Sequence, residues 1–299
     1  MGRSKEMKEG IYAPEDLSNE AYHADTAIGS SGLKVAGENL ALYEYEYLDP
    51  TKAIGRASKY TSIGSHAHVA LLEPERFGQD YIVAPEFAIT NKGKKNEDIK
   101  PMNKAHGCWK DFIEESKETG KIPLLYSEYR QAMAMCAAIG RHELASTMLS
   151  GGKAEMSFFA KDESTGLMMK ARPDYLVRVE GIGNVLVDYK TTAISLGVTQ
   201  QSNHAFKLGR HIQAAHHKKV TELATGGEIN EVCYITQMQE APHLVRIFRM
   251  PYDAIIAGEE QCRIYMDAIA DCWKNGVFPD YPHIIEDMVM PKWMDYEFH

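Results

Sequence analysis

Asp174, Asp188 and Lys190 are the residues of this chain whose types and spacing suit reaction chemistry. They share one stretch, Lys170 to Thr192, which reads KARPDYLVRVEGIGNVLVDYKTT. Val185 to Tyr189 alternates on a β-branched background and predicts a buried strand. Side chains two apart on a strand share a face, so Asp188 and Lys190 point one way with Val187 and Tyr189 behind them. A turn at Gly181, Gly183 and Asn184 folds the preceding run, 168–179, back alongside, and that run carries Pro173-Asp174. Glu155 shares a predicted strand face with Ser157 and Phe159 and can join as a third carboxylate. Three carboxylates around one lysine suit metal-assisted hydrolysis of a phosphodiester. Hard oxygens hold Mg²⁺, the metal activates water and shields phosphate charge, and the lysine orients the water and stabilises developing negative charge. Without a cation the carboxylates would repel one another. A lone D-x-K is far more often a surface ion pair on a hairpin. Here Asp188 and Lys190 interrupt an apolar run, where charge is costly unless paired or metal-bound.

The elements that must position these residues are a run of strands between helices. Ser30 or Ser31 caps a predicted helix from Gly32 to about Tyr47, and a second runs from Ser62 to Leu72, stopped by Pro74. Trp109 to Thr119 and Tyr126 to Leu149 read as helices. At Gly151-Gly152 the period changes from 3.6 to 2. Glu155 to Lys161, Leu167 to Val179 and a strand ending at Lys190 then form a predicted antiparallel meander, with Pro173 marking an edge beside Asp174. A helix over about 204–224 closes at Gly226-Gly227 and places Gln213 and His217 on one face. Lys207, Arg210, Lys218 and Lys219 make that helix basic. Two strands, 231–237 and 243–250, and a long helix, 252–275, complete the pattern.

Composition bounds the rest. At 44% hydrophobic and 25% charged, 299 residues are an ordinary globular chain with ample core. No apolar run approaches a membrane span, and the N-terminus has no signal-peptide core, so the expectation is cytoplasmic with no membrane. Five cysteines without a C-x-x-C point to free thiols. A net charge of −9 excludes a wholly basic coat, so nucleic-acid contact must be local. Residues 86–107 read as the least structured part and are basic through Lys92, Lys94, Lys95, Lys100 and Lys104. They form either a solvated loop or a DNA-contacting one.

Several segments together carry a family resemblance. These are Ser18-Asn19-Glu20-Ala21-Tyr22-His23 with Ser30-Ser31-Gly32-Leu33-Lys34, Gly64-x-x-x-His68 followed by Leu71-Leu72-Glu73-Pro74-Glu75-Arg76-Phe77, and Glu155, Thr165-Gly166-Leu167, Lys170-x-Arg172-Pro173-Asp174 and Asp188-x-Lys190-Thr191-Thr192. Over roughly residues 18–275 the chain resembles the PD-(D/E)xK nuclease superfamily, and within it the RecE (exonuclease VIII) type of phage recombination exonuclease. The resemblance implies an α/β fold: a mixed central sheet flanked by helices, plus N-terminal helical elements. It organises the chain as one domain, 1–299, with an arm (1–29), a mainly helical part (30–150), a catalytic core (151–276) and a tail (277–299). It implies a Mg²⁺-dependent exonuclease, with Mn²⁺ as substitute, that acts on double-stranded DNA ends 5′ to 3′ and leaves 3′ overhangs for a RecT-like single-strand annealing protein. It further implies a homo-oligomeric ring, trimer or tetramer, in a bacterial or phage-infected cell. Residue by residue, Glu155, Asp174 and Asp188 would hold the metal with the Tyr189 carbonyl, Lys190 would position water, and His68 would lie near the metal or the scissile phosphate. Gln213 would orient the site, although His217 stands where related nucleases carry a tyrosine. Lys92, Lys94, Lys95, Arg172, Lys207, Arg210, Lys218 and Lys219 are the expected DNA contacts. The competing readings are a structure-specific endonuclease on the same scaffold and a DNA-binding recombination accessory protein with no catalysis. A histidine-based zinc hydrolase lacks H-E-x-x-H spacing.

Overall fold

The computed structural model describes residues 7–49, 62–90 and 98–290. The chain opens with a short strand β1 (Gly10–Tyr12) and helix α1 (Asn19–Ala24), whose Ser18 side chain accepts from the Ala21 amide. The predicted helix over 32–47 is broken. Helix α2 (Ser30–Glu38) ends at Asn39, whose side chain turns to cap α3 (Leu40–Tyr43), and a π-helical turn (Glu44–Leu48) follows. An asparagine that accepts from a backbone amide two or three residues on favours a cap over a helix interior. Ser62 caps α4 (Ile63–Leu72). Pro74 does more than stop it: it opens α5 (Pro74–Asp80) at the first helical position, where a missing N–H costs nothing.

Strand β2 (Tyr81–Val83) is followed by β3 (Phe87–Thr90) and β4 (Asp98–Pro101). These last two pair antiparallel, so within 86–107 the residues 87–90 and 98–101 are strands rather than irregular loop. Lys92, Lys94 and Lys95 lie outside the described residues. Helix α6 (Gly107–Thr119) and β5 (Ile122–Leu124) lead to α7 (Tyr126–Arg141) and α8 (Glu143–Met148). The single helix expected over 126–149 is split by His142, whose Nδ1 accepts from the Ala145 amide.

The predicted meander also divides. After β6 (Lys153–Ala154), β7 (Ser157–Lys161) pairs with β8 (Met168–Ala171), and β1 joins β7 on its other edge. Strand β9 (Tyr175–Val179) instead pairs with β10 (Gly183–Thr192) in a separate sheet. The run 167–179 is therefore two strands in two sheets, interrupted at Arg172-Pro173-Asp174. Proline has no N–H to offer a ladder, and this is where the chain leaves one sheet for the other. Helices α9 (Val198–Lys207) and α10 (Arg210–Thr225) replace the single helix expected over 204–224, with Gly209 between them at φ 63°. That left-handed conformation suits glycine and breaks the helix. Strands β11 (Glu231–Met238) and β12 (Val245–Arg249) and helix α11 (Tyr252–Asn275) complete the described elements.

Among the described residues the larger sheet has the order β12-β11-β10-β9-β6. Strand β10 runs parallel to β11 and antiparallel to β9, so the sheet is mixed. Its two faces are read directly from β10. Val185, Val187 and Tyr189 pack with Ala67, Leu72, Ala132 and Met135 of α4 and α7. Leu186 packs with Ala214 of α10, Tyr234 of β11 and Ile255 of α11. A strand covered on both faces must be apolar at nearly every position, which is why 185–187 reads as an unbroken apolar run. Fully burying a side chain such as Val187 contributes about 1.5–3 kcal/mol. No helix among the described residues is long and apolar enough to cross a membrane.

Candidate active site

The pairing of β9 with β10 ends at Tyr175–Val187. Beyond it the Tyr189 amide has no partner on β9, and the Asp174 carboxylate takes that place, its Oδ2 accepting from Tyr189 N at 2.7 Å. Sheet geometry thus aims Asp174 at the strand that carries Asp188 and Lys190. Lys190 Nζ lies 2.8 Å from Asp188 Oδ2 and 3.7 Å from Asp174 Oδ2. The Asp188 carboxylate is buried; the Lys190 ammonium pairs with Oδ2, and Oδ1 has no partner among the described residues.

Glu155 reaches the cluster by another route than the expected strand face. It lies between β6 and β7 in a left-handed conformation, φ 51°, and its amide donates to the Asp174 carbonyl at 3.0 Å. Helix α4 adds His68, whose Nε2 is 3.2 Å from Asp174 Oδ2 and 3.7 Å from Glu155 Oε1. That helix sits close because Gly64 has no side chain. A Cβ there would meet Thr191 Oγ1 of β10 at 2.3 Å. His68, Glu155 and Asp174 offer ligand atoms all within 4.8 Å of one another. These groups line a cavity of 430 Å³ with Asn19, Tyr22 and His23 of the N-terminal arm on one side and Glu73 and Arg76 on another.

Electrostatics divide the carboxylates. Burial raises Glu155, and Asp174 beside it adds to the effect, lifting its carboxyl to about 8. Burial and Asp174 push Asp188 up to about 6 despite Lys190. Asp174 goes the other way. Burial disfavours its charge, but Lys190, His68 and the Tyr189 amide hold it well below the usual carboxylate range. Burial also works against a charged His68, yet Asp174 and then Glu155 outweigh it and raise the imidazole to about 9. Burial likewise opposes Lys190, and Asp174 and Asp188 hold its ammonium above its ordinary value. The Lys190–Asp188 pair looks favourable from the lysine and unfavourable from the aspartate. The lysine meets two carboxylates, whereas Asp188 meets one lysine, one carboxylate and little water. Both directions follow from a cluster with more negative than positive groups.

The donor set fits a hard divalent cation: the carboxylates of Glu155 and Asp174 with the His68 imidazole, and beside this group the buried Asp188, whose Oδ1 has no partner. The Tyr189 carbonyl belongs to the same strand segment as these groups. Gln213 is different: it is half-buried on α10 and does not line the cavity. His217, one turn on, is nearer in effect. Burial and then His216 hold it neutral, at about 3, while the Asp174 charge favours its protonated form and Lys190 opposes it.

Of the expected DNA contacts, Lys207 and Lys219 are exposed. Arg210 is buried, its guanidinium 5.6 Å from the Tyr234 ring centroid. Lys218 is tied to Glu222 and to the Ile229 carbonyl, and Arg172 points inward. A cation so engaged is not free for phosphate. The wall from Asn19, Tyr22 and His23 was not legible as part of a site in a polar N-terminal stretch about 150 residues from Asp174.

The family model of the PDDEXK-like domain of unknown function DUF3799 matches residues 44–288. The chain belongs to this family. Its fold also matches that of a protein from Eubacterium rectale named as a putative exonuclease, with a TM-score of 0.56 at 14% identity over 98% of this chain and 99% of that one. The structure of SSO0001 aligns at a TM-score of 0.27 and 12% identity, over 52% of this chain and 68% of its own, too little to carry an argument. No curated protein matches. The Eubacterium rectale likeness is one of fold.

Proposed function

We propose that this protein is a metal-dependent exodeoxyribonuclease acting at double-stranded DNA ends, degrading 5′ to 3′ and leaving 3′ single-stranded overhangs. The observation that carries the reading is Asp188. Its carboxylate is buried, Lys190 pairs with Oδ2 alone, and the unpartnered Oδ1 suits a further cation. Glu155, Asp174 and Asp188 would hold that ion with the Tyr189 carbonyl, and His68 beside them. A bound Mg²⁺, or Mn²⁺ in its place, would supply Lewis acidity toward the phosphate and lower the pKa of a water. Lys190, charged across the working pH range, orients the attacking water and stabilises negative charge as it develops on the phosphate. Asp174 and Asp188 hold the lysine in place.

End-labelled linear duplex incubated with Mg²⁺, with EDTA and covalently closed circular controls, tests the reading. The expected result is metal-dependent shortening of the linear duplex from its 5′ ends and an intact circle. Cleavage of the circle would assign a structure-specific endonuclease. Binding without hydrolysis in any divalent ion would assign an accessory DNA-binding protein. The resemblance also supports a ring of identical subunits, trimer or tetramer, with its basic residues toward the DNA and a single-strand annealing protein downstream. Light scattering that gave a monomer would remove the ring.

A further inference from the structure

Arg172 carries an inference of its own. It is two residues before Asp174, it lines the cavity, and each of its three nitrogens donates a hydrogen bond within the protein. Nε donates to Ser157 Oγ at 2.7 Å, and one terminal nitrogen to the Leu17 carbonyl at 2.9 Å. The other terminal nitrogen donates to Asn19 Oδ1 at 3.3 Å. The guanidinium lies 4.3 Å from the Tyr22 ring centroid, a stacking distance. Three separate pieces of chain therefore meet on one planar cation. These are the N-terminal arm, through Leu17, Asn19 and Tyr22, the start of β7, through Ser157, and the crossing that delivers Asp174. Ser157 is completely buried and stands two residues after Glu155, which holds a left-handed backbone conformation that needs external support. Lys170, on β8 just before Arg172, repeats the arrangement: its Nζ donates to the Tyr22 and Asp25 carbonyls at 2.7 Å each.

We propose that Arg172 is a positioning residue that holds Glu155 and Asp174 at metal-binding separation by locking the N-terminal arm and the start of β7 onto the strand before Asp174. It is not a phosphate contact. The proposal rests on the reading of the cluster as a metal site. Only a planar, forked, stacking cation serves all three partners, so lysine cannot replace it. The arm becomes a structural part of the catalytic cavity, which explains how Asn19, Tyr22 and His23 come to line it.

Arg172→Lys separates this role from the alternatives, because lysine would rescue a simple phosphate contact. Three quantities are measured in wild type and variant: Mn²⁺ affinity by calorimetry, the salt dependence of DNA binding in Ca²⁺, and kcat with KM. The expected result is Mn²⁺ binding weaker by about 10–100-fold, the usual cost of removing a group that orients metal ligands, and a lowered kcat. KM and the slope of log affinity against log salt stay unchanged. DNA binding weakened and KM raised, with normal Mn²⁺ affinity, would place Arg172 on the DNA and overturn the proposal. So would a variant equal to wild type in all three. Ser157→Ala guards against a variant that fails to fold. It removes one partner and leaves the charge, and it must weaken Mn²⁺ in the same direction. Normal Mn²⁺ affinity there would also overturn the proposal. If wild type itself binds no Mn²⁺, the metal-site reading fails, and that outcome is read before any variant is compared.

Discussion

Replacing Asp188 by asparagine should stabilise the metal-free protein while removing its response to metal. Asp188 is a carboxylate whose pKa the fold lifts from 3.8 to about 6. A shift of that size is about 3 kcal/mol of unfavourable differential interaction with the charged form. The folded pKa lies above the unfolded one. The cost is therefore fully present above pH 6, fades as the group protonates on acidification, and is gone below 3.8. Asparagine keeps the shape and removes the charge. Against this gain, Lys190 keeps only Asp174, at 3.7 Å, as a partner. The net at pH 7.5 in EDTA is a gain of about 1–3 kcal/mol, or a rise in Tm of about 2–5 °C for a chain of this size. The gain should shrink below pH 6 and vanish near pH 4. In Mn²⁺ at a hundredfold over its Kd, wild type should gain about 2.7 kcal/mol, and Asp188→Asn should gain little. Thermal melts of both proteins at pH 4, 6 and 7.5, with EDTA or Mn²⁺, check each part. A variant less stable than wild type in EDTA at pH 7.5, or one that responds equally to Mn²⁺, would refute the argument that the fold stores charge repulsion there for a cation.

Lys190→Ala should lose about a hundredfold in turnover, roughly 3 kcal/mol of transition-state stabilisation, with DNA affinity nearly intact. Poor binding with normal saturated turnover would make the lysine an anchor instead. Gly64→Ala should lower activity by displacing His68, since its new Cβ would have to push Thr191 Oγ1 away. Unchanged rates would show that Thr191 rotates aside. The metal-free protein should lose stability between about pH 6.5 and 9, because a His68 pKa raised to about 9 contributes stability below 6.5 that disappears as pH rises through 9. A flat Tm across that range would contradict the charged His68–Asp174 pair. Ca²⁺ should support DNA binding without cleavage and Mn²⁺ should support both, because the side-chain ligands are mainly hard oxygens. Activity with Zn²⁺ alone would move the site toward the histidines.

The order of chemical groups along Lys170–Thr192 was enough to bring Asp188 and Lys190 to one face, because the period of a strand is a local property. Charges set in an apolar run also announced an unusual burial before any fold was known. Tertiary structure decided the rest. Glu155 faces the cluster from a left-handed turn, not from a strand face, and Asp174 is aimed by an amide left unpaired where β9 ends. Neither depends on alternation, so the strand pattern placed Glu155 near the site for the wrong geometric reason. The breaks at Asn39, His142 and Gly209 are caps and a left-handed glycine inside apolar periods, and the periods alone run through them. Arg172, Arg210 and Lys218 show the largest gap. A cation in a sequence reads as a possible phosphate contact, and only the carbonyls, carboxylates and rings that the fold brings to it reveal that it is engaged inside the protein.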